Sequence, residues 1–155
     1  MLLLPGYELQ KGSGIERSLL VKFMDLTYQE LFPQQQDFSH LAATVEGYFS
    51  HQTPLWWVQS SGEQSAVKVG CLWLGNAVDQ VRGDRHAHVF LLYILPEHRR
   101  LGLGSALMRH AEEWAKARGD RQIGLQVFQS NQPALNLYQH LGYETQSLWM
   151  SKPLS

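Results

Sequence analysis

The sequence predicts one α/β domain of the α+β kind, a mixed sheet covered by helices. Three observations carry this. Short runs rich in aliphatic and aromatic residues alternate with stretches whose apolar residues recur every three or four positions. The uncharged run Val89 to Leu95 stops at Pro96 and gives way to an amphipathic stretch opened by Gly102 and Gly104, a strand-turn-helix order. The chain has 155 residues, 44% hydrophobic and 17% charged, without repeats or linkers, so residues 1–155 read as a single domain with a real core.

Taken in order, Tyr7 to Lys11 is a short strand, punctuated by Gly12, Ser13 and Gly14. From Ile15 to Phe32 the positions Ile15, Leu19, Leu20, Phe23, Met24 and Leu31 form a helical stripe, which Pro33 ends. After a polar loop, Ser39 is the expected N-cap of a helix over His40 to Phe49. Leu55 to Gln59 and Val67 to Leu74 read as a hairpin turning at Ser60, Ser61, Gly62 and Glu63. Trp56 and Trp57 project to opposite faces there, so one is core and the other is free to line a cleft or an interface.

A polar connection over Gly75 to His86 leads into the central strand at about Ala87. The helix after Gly104 ends at Arg118 and Gly119, a basic last turn followed by a C-cap glycine. Ile123 to Phe128 is the next strand. A short helix begins at Asn131 and Pro133 and stops at Gly142, and Tyr143 to Lys152 is expected to close the sheet.

Several function classes lose support at once. A net charge of −1, with no cationic cluster beyond Arg99 and Arg100, gives no general attraction to nucleic acid or to an acidic membrane. The opening MLLLPG has neither a basic n-region nor the length of a span, which makes a cytoplasmic location the expectation. The single cysteine, Cys71, agrees with a reducing compartment and reads as packing within a strand. Among seven histidines, His86 and His88 share one side of a strand, but no third ligand has convincing spacing, so no metal is expected.

The chemistry gathers after the central strand. A helix start leaves about four N–H groups without partners and carries roughly half a positive charge, so it can receive an anion. Arg99 and Arg100 stand at the same place and add donors suited to phosphate. A diphosphate is the indicated guest. No G-x-x-x-x-G-K-[ST] run exists, and Leu107 breaks the third glycine of a dinucleotide fingerprint.

What remains, Arg99-x-x-Gly102-x-Gly104, resembles the [QR]-x-x-G-x-[GA] signature of the GNAT superfamily of acyl-CoA-dependent N-acetyltransferases. A second stretch, Asn131, Ala134, Leu137, Tyr138, Gly142 and Tyr143, resembles that family's N-x-x-A-x-x-L-Y-x-x-x-G-[FY] segment, and the element order is similar over essentially the whole chain. The resemblance implies a mixed, mostly antiparallel sheet with a splayed central strand pair and helices on both faces. It also implies acetyl-CoA as cosubstrate, with transfer to an amine on a small molecule or peptide by direct transfer in a ternary complex. Backbone groups of Leu92, Tyr93, Ile94 and Leu95 would bind the pantetheine arm, and the turn of Arg99, Arg100, Leu101, Gly102, Leu103, Gly104 and Ser105 would bind the pyrophosphate. Family members often have Gly where this chain has Arg100 and a cation where it has Leu101, so Arg100 stands in for the displaced charge.

By the same resemblance Asn131 contacts the coenzyme and Tyr138 is the acid for the leaving thiolate, although Asn131 also suits an N-cap and Tyr138 an inner helix face. The base is open between His88, Glu97 and a water chain. His88 has an ordinary pKa of about 6.5, near the working range of a base. The acidic pair of the polyamine-acetylating branch falls on Phe90 and Leu91, which removes support for that acceptor class. Such domains often dimerise, so a homodimer is expected. The alternative reading is a non-catalytic acyl-CoA-binding or regulatory module.

Overall fold

The computed structural model describes residues 1–61 and 67–155, so the turn expected at Gly62 and Glu63 lies outside the described residues. Within them the strand-like runs form one sheet in the order β1-β2-β3-β4-β5-β6. These strands are β1 (Leu2–Leu4), β2 (Tyr7–Lys11), β3 (Leu55–Ser60), β4 (Val67–Val78), β5 (Arg85–Ile94) and β6 (Ile123–Leu125). All neighbours are antiparallel except β5 and β6, which are parallel and joined by the crossover helix. The short β1 has no clear signal in the sequence. Pro5 and Gly6, the latter at φ 85°, turn the chain back so that Leu2 and Leu4 pair with Glu8 and Tyr7.

Four α-helices cover the sheet: α1 (Arg17–Leu31), α2 (His40–Tyr48), α3 (Leu103–Arg118) and α4 (Gln132–His140). The stripe Leu20, Phe23 and Met24 of α1, with Leu41 and Val45 of α2, packs on Trp57, Cys71, Trp73, Leu91 and Tyr93. On the other face Leu103, Leu107, Met108 and Ala111 of α3 and Tyr138 of α4 pack on Trp56, Leu72, Leu74 and Val89. Helices therefore lie on both faces. Both tryptophans of β3 are core, Trp56 lying against His110 and Trp114.

The local cap signals act as expected at Gly119, a left-handed C-cap at φ 95°, and at the N-cap Asn131, whose Oδ1 accepts from the Ala134 N–H at 3.3 Å. Ser39 does not cap α2. It is already helical, and Asp37 Oδ1 accepts the Ser39 N–H at 2.9 Å instead. The strand expected over Tyr143–Lys152 is not formed. Tyr143 is anchored by its N–H to the Tyr138 carbonyl at 2.9 Å and by its hydroxyl to Glu112 at 2.8 Å. Beyond it the chain meets no strand edge among the described residues, and a strand without a partner has no ladder.

Candidate active site

The site begins with an extra residue. Across β4 and β5, Trp73 faces Leu91 and Leu74 faces Val89, so Phe90 is a bulge. Gly75 makes room for it, because a Cβ there would lie 1.9 Å from the Phe90 ring. On the other side of β5, the pairing with β6 runs only from Ala87 to Val89. The two parallel strands thus part at the bulge, and the far edge of β5 from Phe90 to Ile94 has no strand partner among the described residues. This fork is the splayed pair. A bulge bends its strand and re-aims side chains, which accounts for the divergence at this position.

Leu92 and Ile94 turn their side chains toward the α3 and α4 core, Tyr93 is buried on the α1 and α2 face, and Leu95 packs against both. On the open edge the Ile94 carbonyl accepts from Arg99 Nε and the Leu95 N–H donates back to the Val69 carbonyl of β4 at 2.8 Å, so the groups left to receive an extended ligand are those of Leu92 and the Ile94 N–H. Next comes a 3-10 turn over Pro96–His98, followed by Arg100 at φ 64° and Gly102 at φ 89°. Positive φ at a non-glycine residue costs on the order of 1–3 kcal/mol, and such strain clusters at ligand sites. Gly102 caps α3, whose first N–H groups open there. Gly104 acts on packing, since a Cβ would meet Leu137 of α4 at 3.2 Å, so this glycine seats α4 against α3.

The two arginines separate. Arg99 is held back toward the sheet, where its Nε donates to the Ile94 carbonyl at 2.7 Å and its Nη2 to both Glu30 oxygens at 2.9 Å, with the guanidinium 5.4 Å from the Tyr93 ring centroid. Arg100 and Leu101 are exposed, Leu103 is buried, and Ser105 is half-buried in the first turn of α3. His98 is fixed by Tyr7, whose hydroxyl lies 2.8 Å from His98 Nδ1.

His88 lies one pair before the fork closes, opposite Gly124, on the face that carries Phe90. Burial and then the neighbouring His86 hold its pKa below the ordinary histidine value, so it is neutral near pH 7. Glu97 is exposed in the turn beyond β5. Tyr138 is on the other face, 9% exposed; its hydroxyl makes no hydrogen bond among the described residues, and burial pushes its pKa up to about 12. Cys71 is buried, which pushes its thiol pKa far up and confirms a packing role. Among the described residues no three potential metal ligands converge.

Sequence reasoning misses the features on the α1 and α2 face of the fork, because each is a tertiary contact. Glu30 of α1 accepts from the Tyr93 hydroxyl at 3.0 Å while holding Arg99, and burial followed by that bond raises Tyr93 to about 12. Tyr48 covers Phe90 at 5.4 Å, and Phe128 beyond β6 packs on Phe32 at 5.0 Å and Tyr28 at 6.0 Å. The α1 and α2 face of the fork is thus aromatic.

A profile described as "Acetyltransferase (GNAT) family" matches residues 20–143. The chain belongs to the GNAT family. This GNAT domain is similar to a putative acetyl transferase from Pyrococcus furiosus, with a TM-score of 0.75 and 27% identity over 96% of this chain and 99% of that one. It also shares its fold with a predicted acetyltransferase with acetyl-CoA from Clostridium acetobutylicum, with a TM-score of 0.74 and 14% identity over 95% and 96% of the two chains. An uncharacterized N-acetyltransferase of Bacillus subtilis, YdgE, is 26% identical over 92% of this chain and 80% of its own. The first curated relatives match over shorter stretches: the rice acetyl transferase GW6a is 44% identical over 34% of this chain but only 12% of its own length. N-acetyltransferase 8 of Homo sapiens matches over 43% of its length.

GNAT acetyltransferases use acetyl-CoA, and this chain's residues fit it. The open edge at Phe90–Ile94 suits an extended amide-bearing arm, and the left-handed turn at Arg100 and Gly102 leads into a helix start suited to a diphosphate. Among the described residues no helix is long and apolar enough to cross a membrane.

Proposed function

We propose that this GNAT domain is an N-acetyltransferase that moves the acetyl group of acetyl-CoA to a primary amine by direct transfer in a ternary complex. The observation that carries the reading is the fork itself: a free β5 edge continuous with the turn into α3, and a different side-chain chemistry on each face. The coenzyme supplies the activated acetyl thioester. The open-edge peptide groups of Leu92 and the Ile94 N–H hold its arm, and the N–H groups at the start of α3, with Arg100, hold its diphosphate. Arg99 acts as a brace, tying the exit of β5 to Glu30 of α1.

His88 takes the proton that the amine nitrogen sheds as the amide forms, a role its neutrality supports. Tyr138 gives a proton to the departing sulfur from the opposite face; its high pKa keeps it protonated, as an acid must be. Asn131 fixes the start of α4 and so the register of Tyr138. The acceptor enters past Tyr48, Phe90 and Phe128, which favours an amine on a small molecule or peptide with an apolar neighbourhood. The absence of carboxylate partners at Phe90 and Leu91 argues against polyamines.

Thiol release from acetyl-CoA over a panel of amines tests the reading. Turnover on one class, with Tyr138→Phe lowering kcat by about 10²-fold or more while leaving acetyl-CoA affinity intact, is the expected result. Acetyl-CoA binding without turnover on any amine would favour the regulatory module instead.

A further inference from the structure

Where the fork closes, β6 carries a glycine whose missing side chain leaves room for two histidines. Gly124 pairs with His88 across the parallel ladder. A Cβ on Gly124 would lie 3.1 Å from Cε1 and 3.6 Å from Nδ1 of His86, and 3.7 Å from Nδ1 of His88. Both imidazoles therefore border one small space, as the period of two along β5 allows for residues 86 and 88. A half-buried base beside Phe90 must shed the proton it gains before the next turnover. We propose, resting on the reading of His88 as the base, that His86 relays this proton from His88 to solvent.

The hydrogen bond that His86 makes fixes its tautomer. Its Nδ1 lies 2.9 Å from the Ala87 carbonyl oxygen. A carbonyl only accepts, so Nδ1 carries the hydrogen and Nε2 keeps the lone pair that receives a proton. The same carbonyl then stabilises the imidazolium, because a bond from a charged donor is stronger than one from a neutral donor. The direction is outward: from Phe90 at the fork the strand runs back past His88 and His86 to the exposed Arg85 at its start. The charged groups at that end, Asp120 with Arg85 and Arg118, are paired with one another. In the reaction the amine nitrogen bonds to the acetyl carbon, the carbon–sulfur bond breaks, and the sulfur leaves with the Tyr138 proton. The amine proton goes to His88, then directly or through one water to Nε2 of His86, and from there to solvent, while Tyr138 recovers its proton from water. His86 thus acts through His88 and does not touch the amine.

The test compares His86→Gln with His88→Gln by thiol release from acetyl-CoA, on the fastest acceptor of a panel running from 2-phenylethylamine to free amino acids and short peptides. Glutamine keeps a donor for the Ala87 carbonyl but cannot carry the proton. His86→Gln should lower kcat by about tenfold with the KM for acetyl-CoA unchanged, and His88→Gln by about 10²-fold or more. Added imidazole at fixed pH should restore the His86→Gln rate in a saturable way and leave wild type unaffected, which a merely structural role for His86 would not produce. Nitrogen NMR of the histidine rings in the unaltered chain, read without any acceptor, should show His86 protonated at Nδ1 when neutral. Wild-type turnover in His86→Gln beside a slow His88→Gln, a loss that imidazole does not repair, or a neutral His86 protonated at Nε2 overturns the relay alone. A His88→Gln chain as fast as wild type, or a chain that acetylates no amine of the panel, brings down the underlying reading of the base and the relay with it.

Discussion

Replacing Gly75 by alanine puts a methyl group where the Phe90 ring now lies. The added carbon would sit 1.9 Å from Cε2 and 2.2 Å from Cζ, far inside contact distance. The ring cannot simply swing aside, since Trp73, Tyr48 and His88 lie around it at centroid distances of 5.0, 5.4 and 5.6 Å. Overpacking of this kind costs about 1–3 kcal/mol. The smaller unfolded-state entropy of alanine offsets only about 0.4–1 kcal/mol of that. At roughly 2–4 °C per kcal/mol for a domain of this size, thermal unfolding should fall by a few degrees. Acetyl transfer should fall further, because the bulge that opens the fork must shift. The check is a double-mutant cycle in urea with Phe90→Leu, which shortens the ring: the pair should show a favourable coupling of about 1–2 kcal/mol. A Gly75→Ala protein within about 0.5 kcal/mol of wild type, or strictly additive mutations, would refute the idea that Gly75 exists to hold the bulge.

Other perturbations follow from the same geometry. Asp120 is 2% exposed in its side chain, accepts from Arg118 and from the Ala87 N–H at 2.8 Å, and so ties the end of α3 to the start of β5. Although burial alone would raise it, the Arg118 and Ala87 bonds hold its pKa below the ordinary value of about 4. Its stabilisation is therefore complete above about pH 4 and lost as pH falls through the lower folded value. Asp120→Ala should cost about 3–5 kcal/mol in denaturant melts and flatten the acid limb of the stability profile. For His88, whose folded pKa lies below about 6.5, kcat/KM should drop as pH falls through that lower value, and His88→Gln should abolish this limb and reduce kcat by about 10²–10⁴-fold. Arg100→Ala should weaken acetyl-CoA binding by about tenfold or more in calorimetry. Arg99→Ala should act mainly on stability, since Glu30 and the Ile94 carbonyl occupy its side chain.

Legibility follows the range of the physics. The helix limits, the C-cap at Gly119, the N-cap at Asn131 and the strand-turn-helix around Gly102 are readable because each is set by residues a few positions apart. The motif position of Arg99 is equally plain, but its bracing role is not, because its partner Glu30 lies on α1, far off in sequence. Nothing in the spacing of β5 marks Phe90 as a bulge, since a bulge is a property of two paired strands, and only Gly75 across the ladder explains it. Gly104 sits in a ligand motif, yet the neighbour that its missing side chain spares is Leu137. That makes a bulky residue at Gly104 a poor probe of coenzyme binding, because it strikes α4 first. The failed last strand has the same lesson, for β propensity in Tyr143–Lys152 cannot supply the edge that a ladder needs.

The most direct test of the account is backbone hydrogen exchange with and without acetyl-CoA. The open edge of β5 over Phe90–Leu95 and the turn Arg99–Ser105 should become protected on binding, while β4, already paired on both sides, should change little. Protection confined to another surface, or none at saturating acetyl-CoA, would contradict the claim that this fork is where the coenzyme sits.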